Sequence, residues 1–163
     1  SVMDIGAKPI PVNLAYSKIE LEEIFSNSEP HAVIAEQEFL PLIESYLNKK
    51  TVILRSNGKF KLHQAAKTKF EPAGIDDRIA SINYTYRGYG YPLGAMVPHE
   101  QYLMGAEVLT KGLKPEPEEN MLVILPFYYI FPLIGCLFVP LLYKMTSMLS
   151  QTVNPLKLFQ YIL

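Results

Sequence analysis

The chain has 163 residues, 49% of them hydrophobic and 19% charged, which suits about one domain with a substantial buried core and excludes disorder over most of its length. Fifteen Lys and Arg against 16 Asp and Glu leave a formal net charge of -1, so no whole-chain basic surface speaks for nucleic acid as a partner. One cysteine, Cys136, and three scattered histidines, His31, His63 and His99, exclude an internal disulfide and a cysteine metal cluster and give no dedicated histidine metal site.

No basic, apolar, small-residue leader opens the sequence, so no secretory leader is expected. Ser1–Ala7 reads as the last turns of a helix, and Pro9–Asn13 as extended chain ending in a turn. Ser17 lies three residues before Glu20, the spacing of a capping box, with Tyr16 and Leu21 placed for a hydrophobic staple. Leu21, Ile24 and Phe25 share one face of the helix so opened. Ala32–Ala35 is expected as a short buried strand, and Phe39, Leu42, Ile43, Tyr46 and Leu47 as the next helical stripe, with Pro41 admissible only in its first turn. Thr51–Leu54 is another strand, followed by a polar stretch to about Arg78 that holds an Asn57-Gly58 turn signal.

Ile79–Tyr84 alternates and predicts a strand. A glycine-rich loop leads to a short extended piece at Ala95–Val97 and a helix from about Glu100 to Lys111, with Gly112 as its stop. Lys114–Asn120 reads as an exposed linker. Met121–Tyr143 is uncharged and long enough to span a bilayer, but Pro126, Pro132 and Pro140 interrupt it. We therefore expect a buried strand at Met121–Leu125, a turn at Pro126 and a short buried helix ending near Pro140. A last strand is expected at Met145–Leu149, and Pro155 can open a final helix. Repeated strand–helix alternation predicts an α/β fold, a mostly parallel sheet with helices on both faces.

The segment Ala80–His99 reads ASINYTYRGYGYPLGAMVPH. It is neither a Walker loop nor G-x-G-x-x-G, and its glycine content alone suits an ordinary structural loop. The order of its residues says more. Tyr84, Thr85, Gly90, Pro92, Gly94 and the trailing His99 fall where the adenylate-forming superfamily carries its signature, Y-T-S-G-T-T-G-x-P-K-G followed by a strand and a histidine opening a helix. The segment resembles that signature. Pro9–Asn13, His31–Glu36 and Asp76-Asp-Arg-Ile-Ala80 are similar to the family's upstream regions, and Leu125-Pro-Phe-Tyr-Tyr-Ile-Phe131 to its L-P-L-F-H-x-F segment. The resemblance covers nearly the whole chain and points to its acyl-CoA synthetase and fatty acyl-AMP ligase branch, residues 1–163 being part of one large N-terminal domain without the C-terminal domain.

The resemblance implies an ATP- and Mg2+-dependent ligase that adenylates a carboxylate, a fatty acid on the strength of the apolar Phe127–Leu142 stretch, and usually transfers it to coenzyme A. It implies nucleotide-binding roles for Thr85, Tyr86, Arg87, Gly88, Tyr89, Gly90 and Gly94, and substrate-binding roles for Tyr128 and Tyr129. It names no catalytic residue here and no protein-held metal. A cytoplasmic enzyme is expected, with no membrane span and with peripheral association left open. The departures are specific: Tyr86-Arg87-Gly88-Tyr89 replaces the hydroxyl-rich centre of the signature, Leu93 replaces its lysine, and Tyr129 stands where the family has His. Arg87 restores one cation and can hold a phosphate bidentately, or it is a solvated loop residue. Two further readings stay open: a degenerate, noncatalytic relative that binds acyl groups or protein partners, and a membrane-associated protein anchored through Met121–Tyr143.

Overall fold

The computed structural model describes residues 2–13, 15–47, 51–56, 58–64, 74–85, 90–150, 154 and 158–159. Its contacts divide the chain into two units, one of Ser1–Asn13, Asp76–Thr85 and Leu93–Leu163, the other of Leu14–Ile75 and Tyr86–Pro92.

In the second unit, Ser17 opens helix α1 (Lys18–Ser28) with both arms of the capping box in place. The Glu20 N–H donates to Ser17 Oγ at 3.3 Å, and the Ser17 N–H to Glu20 Oε2 at 2.7 Å. These bonds to Ser17 hold the Glu20 carboxyl below its usual range. Leu21, Ile24 and Phe25 bury the inner face. Phe25 joins Ile43 and Leu47 in a small core, with Val33, Ala35, Leu40 and Tyr46 packed against it. The Phe25 and Tyr46 rings stack at 4.9 Å, and the Tyr46 hydroxyl donates to the Lys18 carbonyl at 3.0 Å.

Strand β1 (Ala32–Glu36) forms, but it is not the buried strand expected: Val33 and Ala35 are half-buried while Ile34 on the other face is 54% exposed. The stripe from Phe39 to Leu47 is one α-helical turn, α2 (Leu40–Ile43), between 3-10 turns at Gln37–Phe39 and Glu44–Tyr46. Pro41, without an N–H, sits in that first turn. Strand β2 (Thr51–Ser56) runs parallel to β1, and β3 (Lys59–Gln64) runs antiparallel to β2. Of the expected Asn57-Gly58 turn between them, Asn57 lies outside the described residues, while Gly58 takes φ +77°. The polar stretch after Leu54 thus holds a strand that a charge-based reading passes over. Lys59-Phe60-Lys61-Leu62-His63 alternates with period two, but both faces are exposed, so its apolar residues mark no core.

In the first unit, the expected helix end near the N-terminus is a single 3-10 turn, Met3–Ile5, closed by Gly6 at φ +75°. The Pro9 carbonyl accepts from Ile82 N–H at 3.1 Å, which lays the extended Pro9 segment beside strand β4 (Ile79–Thr85). Strand β5 (Leu93–Pro98) pairs antiparallel with β4, and helix α3 (His99–Leu113) follows directly. Tyr102, Ala106 and Thr110, each four apart, make its buried stripe. Helix α3 runs past Gly112 and stops at Lys114, which takes a left-handed conformation with φ 48°. Helix α1 stops the same way at Glu29, φ 41°. Each of these residues precedes a proline, Pro30 or Pro115, which disfavours a further right-handed turn.

Strand β6 (Asn120–Val123) is two residues shorter at its end than expected, and only Val123 is fully buried. After the turn at Pro126 the apolar run is helical: α4 (Ile130–Pro132), a π-helical stretch (Leu133–Phe138) and α5 (Val139–Tyr143) follow one another without a break. Pro140 has no N–H to offer the carbonyl four residues back, that of Cys136, which accepts from Ser147 Oγ at 3.4 Å. Phe138 packs this run against α3, its ring stacked on that of Tyr102 with 4.9 Å between centroids. Strand β7 (Thr146–Leu149) then returns parallel to β6. No helix among the described residues is long and apolar enough to cross a membrane. The final helix expected after Pro155 lies largely outside the described residues, among which the Leu158 N–H donates to the Asn154 carbonyl at 3.0 Å.

The architecture is α/β. The described strands form three small sheets, with parallel pairing at β1–β2 and β6–β7 and antiparallel pairing at β2–β3 and β4–β5.

Candidate functional site

Strand β4 ends at Thr85, and the turn after β6 brings a second chain segment up to it. Between them lies a cleft of about 300 Å³. Asn83, Tyr84 and Thr85 form one wall; Leu125, Tyr128, Tyr129 and Ile130–Pro132 form the other. Of the site residues expected from sequence, Thr85, Tyr128 and Tyr129 therefore meet in one place. The Tyr129 N–H donates to the Pro126 carbonyl at 3.4 Å, and Tyr129 is the N-cap of α4, so the turn fixes its backbone before the helix begins.

The Tyr128 and Tyr129 rings meet edge to face, 4.5 Å between centroids. Burial, and then the neighbouring Tyr129, push the Tyr128 hydroxyl above its ordinary value, so it stays a neutral donor and acceptor at physiological pH. Tyr129 is 45% exposed. Among the described residues no acidic or basic side chain lines the cleft. The polar capacity of these walls rests on hydroxyls, one amide and the backbone.

Gly94 faces Tyr84 across the β4–β5 ladder. A Cβ there would lie 3.0 Å from Tyr84 Cζ, so the glycine makes room for the buried Tyr84 ring. Gly90 is exposed and has φ +68°, a left-handed position that suits glycine. Tyr86, Arg87, Gly88 and Tyr89 lie outside the described residues. His99 opens α3 as its first residue, its N–H donating to the Arg78 carbonyl at 2.9 Å, and it does not line the cleft. Cys136 is half-buried in the π-helical stretch, where burial pushes its thiol up, away from nucleophilic use.

The acidic lead-in to β4 is a pinned turn. Arg78 places Nη2 2.6 Å and Nε 2.9 Å from Asp76 Oδ2, and its N–H donates to Asp76 Oδ1 at 2.8 Å. These contacts hold the Asp76 carboxyl down at about 2. Lys8 approaches the neighbouring Asp77 at 3.8 Å. Among the described residues no group of three or more His, Cys, Asp or Glu converges as a metal site.

Sequence reasoning misses Asn83. The signal for it is a polar residue two before Thr85 on the same face of a strand, where the period-two pattern of a covered strand calls for an apolar one.

A family model described as AMP-binding enzyme matches residues 1–162. The chain belongs to the AMP-binding enzyme family. Its fold is that of solved structures far longer than itself. ATP-bound MatB from Rhodopseudomonas palustris is 24% identical, with TM-score 0.77 over 96% of this chain and 33% of MatB. O-succinylbenzoate coenzyme A synthetase (MenE) from Bacillus subtilis, in complex with ATP and magnesium ion, is 21% identical, with TM-score 0.76 over 99% of this chain and 42% of that one. A Rhodopseudomonas palustris CGA009 protein assigned as a long-chain-fatty-acid CoA ligase is 18% identical, with TM-score 0.75 over 96% and 42%. At these identities the likeness is one of fold. This AMP-binding enzyme chain spans about a third to two-fifths of the length of those proteins. A search of curated proteins found no match.

Proposed function

We propose that the protein containing this chain is an acyl-activating ligase, with residues 1–163 forming part of its large N-terminal domain. A carboxylate oxygen attacks the α-phosphorus of ATP, pyrophosphate leaves, and the acyl-adenylate is usually passed to the thiol of coenzyme A with release of AMP. The observation that carries this reading is the meeting of Thr85, at the entrance of the signature-like loop, with Tyr128 and Tyr129 in one cleft. Leu125, Ile130, Phe131 and Pro132 suit the hydrocarbon part of a fatty acid. Magnesium bound to the nucleotide's phosphates would neutralise part of their charge. Tyr129 orients the acid through its hydroxyl, since a tyrosine offers no near-neutral imidazole.

In this reading Arg87 takes over from the lysine that Leu93 has replaced. A charge-assisted hydrogen bond is worth about 1.5–3 kcal/mol. Losing it in Arg87→Ala weakens magnesium-ATP binding roughly 10- to 150-fold in the full-length protein, and Arg87→Lys recovers only part of this. Calorimetric titration of all three proteins tests it; equal affinities leave Arg87 a solvated residue. The loss of the signature lysine and of the histidine at Tyr129 favours one second reading, a noncatalytic relative that holds acyl groups or protein partners. A correctly folded full-length protein that binds no magnesium-ATP and releases no pyrophosphate with ATP and decanoate establishes that alternative over the first.

A further inference from the structure

The two-residue period of β4 sets Ser81, Asn83 and Thr85 on one face. Ser81 and Asn83 are 0% and 2% exposed. Asn83 Nδ2 donates to Ser81 Oγ at 2.7 Å, and the Ser81 and Tyr102 hydroxyls are hydrogen-bonded to each other at 2.6 Å. The amide is thereby anchored by its nitrogen end, back along the strand. Its oxygen end, Oδ1, is buried and has no hydrogen-bond partner among the described residues. Asn83 is also one of the residues that line the cleft. An unmet buried acceptor costs stability, and a leucine or valine at this position would avoid that cost.

We propose that Asn83 is a specificity-determining residue whose Oδ1 accepts a hydrogen bond from a hydroxyl on the acyl chain of the substrate. The proposal rests on the reading of this cleft as the acyl site. The lining residues narrow the donor. A cationic donor would lie in a cleft with no acidic side chain among its described residues to balance it. An amide donor brings a carbonyl that needs a donor of its own among the apolar side chains of Leu125, Ile130, Phe131 and Pro132. A hydroxyl needs one acceptor, and Asn83 supplies it. A site built to meet a polar group also rejects the analogue that lacks it, because the acceptor is then left unpaired.

The test uses the full-length protein with decanoic acid and three monohydroxydecanoic acids, the hydroxyl near the carboxyl, at mid-chain and at the terminus. Calorimetry measures binding, and pyrophosphate release with ATP is followed with the same acids. At least one hydroxy acid binds roughly tenfold or more tightly than decanoate to the wild type. In Asn83→Leu the same pair binds within about twofold of each other, since no acceptor remains. Asn83→Ala, which also lacks an acceptor, carries the same comparison if the leucine variant fails to fold. Decanoate binding as tightly as every hydroxy acid, or a preference that survives both substitutions, overturns the assignment. Pyrophosphate release without any such preference removes the Asn83 inference and leaves the ligase reading standing. A hydroxyl preference in binding, abolished at position 83 but without pyrophosphate release from any acid, supports Asn83 and removes the ligase reading.

Discussion

A methyl group added at Gly94 would lie 3.0 Å from Tyr84 Cζ and 3.2 Å from Ile82 Cγ2, closer than packed carbons approach. Tyr84 is 5% exposed, so its ring has little room to swing away. Gly94→Ala is therefore expected to destabilise the protein by about 1–3 kcal/mol, read from denaturant unfolding. Tyr84 lines the cleft, so the same change disturbs the shape of that cleft. Asp76 gives a pH-dependent expectation. Its carboxyl titrates at about 2 in the folded protein, against an ordinary 3.8, because Arg78 donates to it. A lowered carboxyl adds stability that is complete above the unfolded value and is lost as pH falls through the folded one. The melting-temperature gap between wild type and Asp76→Asn is thus open at neutral pH and closes as the pH falls from about 4 to about 2. A gap that persists unchanged at pH 2 means that the ion pair is not its source.

Elements were legible where one local bond or one period decides them. Ser17 and Glu20 announce α1 because the capping box needs only four consecutive residues, and both of its bonds form. The end of α3 was not legible from glycine. Gly112 lies inside the helix with nothing within 4 Å of an added Cβ, and the stop falls at Lys114, just before Pro115. Gly112→Ala is accordingly expected to stabilise the protein by about 0.5–1 kcal/mol, measured by chemical denaturation. Had Gly112 been the stop, alanine there would destabilise. Strand β3 was hidden because Phe60 and Leu62 are 66% and 56% exposed, so they alternate with lysines without a core to show for it. Thr85, Tyr128 and Tyr129 came from residue order, which survives substitution. Asn83 escaped because its partners, Ser81 and Tyr102, are joined by a hydrogen bond that spans 21 positions of sequence.

Across the molecule, the matched solved structures are two to three times as long as this chain, whose share of MatB is 33%. Adenylation needs groups held on both sides of the reacting phosphate. The 163-residue chain alone is expected to release no pyrophosphate with ATP and decanoate; release that depends on both would show that these residues suffice. Met96, Leu103, Met104 and Val108, on β5 and α3, are each about half exposed or more.

The π-helical stretch at Leu133–Phe138 has a consequence for chain length. Its wider turns accommodate one residue more than an α-helix between the same two ends. Deleting Leu137, 38% exposed, removes that extra residue and lets an ordinary α-helix join the same two ends, so Val139, 0% exposed, keeps the buried side that Pro132 and Gly135 occupy. Removing Leu137 is therefore expected to cost little beyond what Leu137→Ala costs in the same denaturation experiment. Removing one residue from the middle of α3 instead turns part of its buried stripe by about 100° and costs far more. At this point of the fold the chain can give up a residue without turning a buried face.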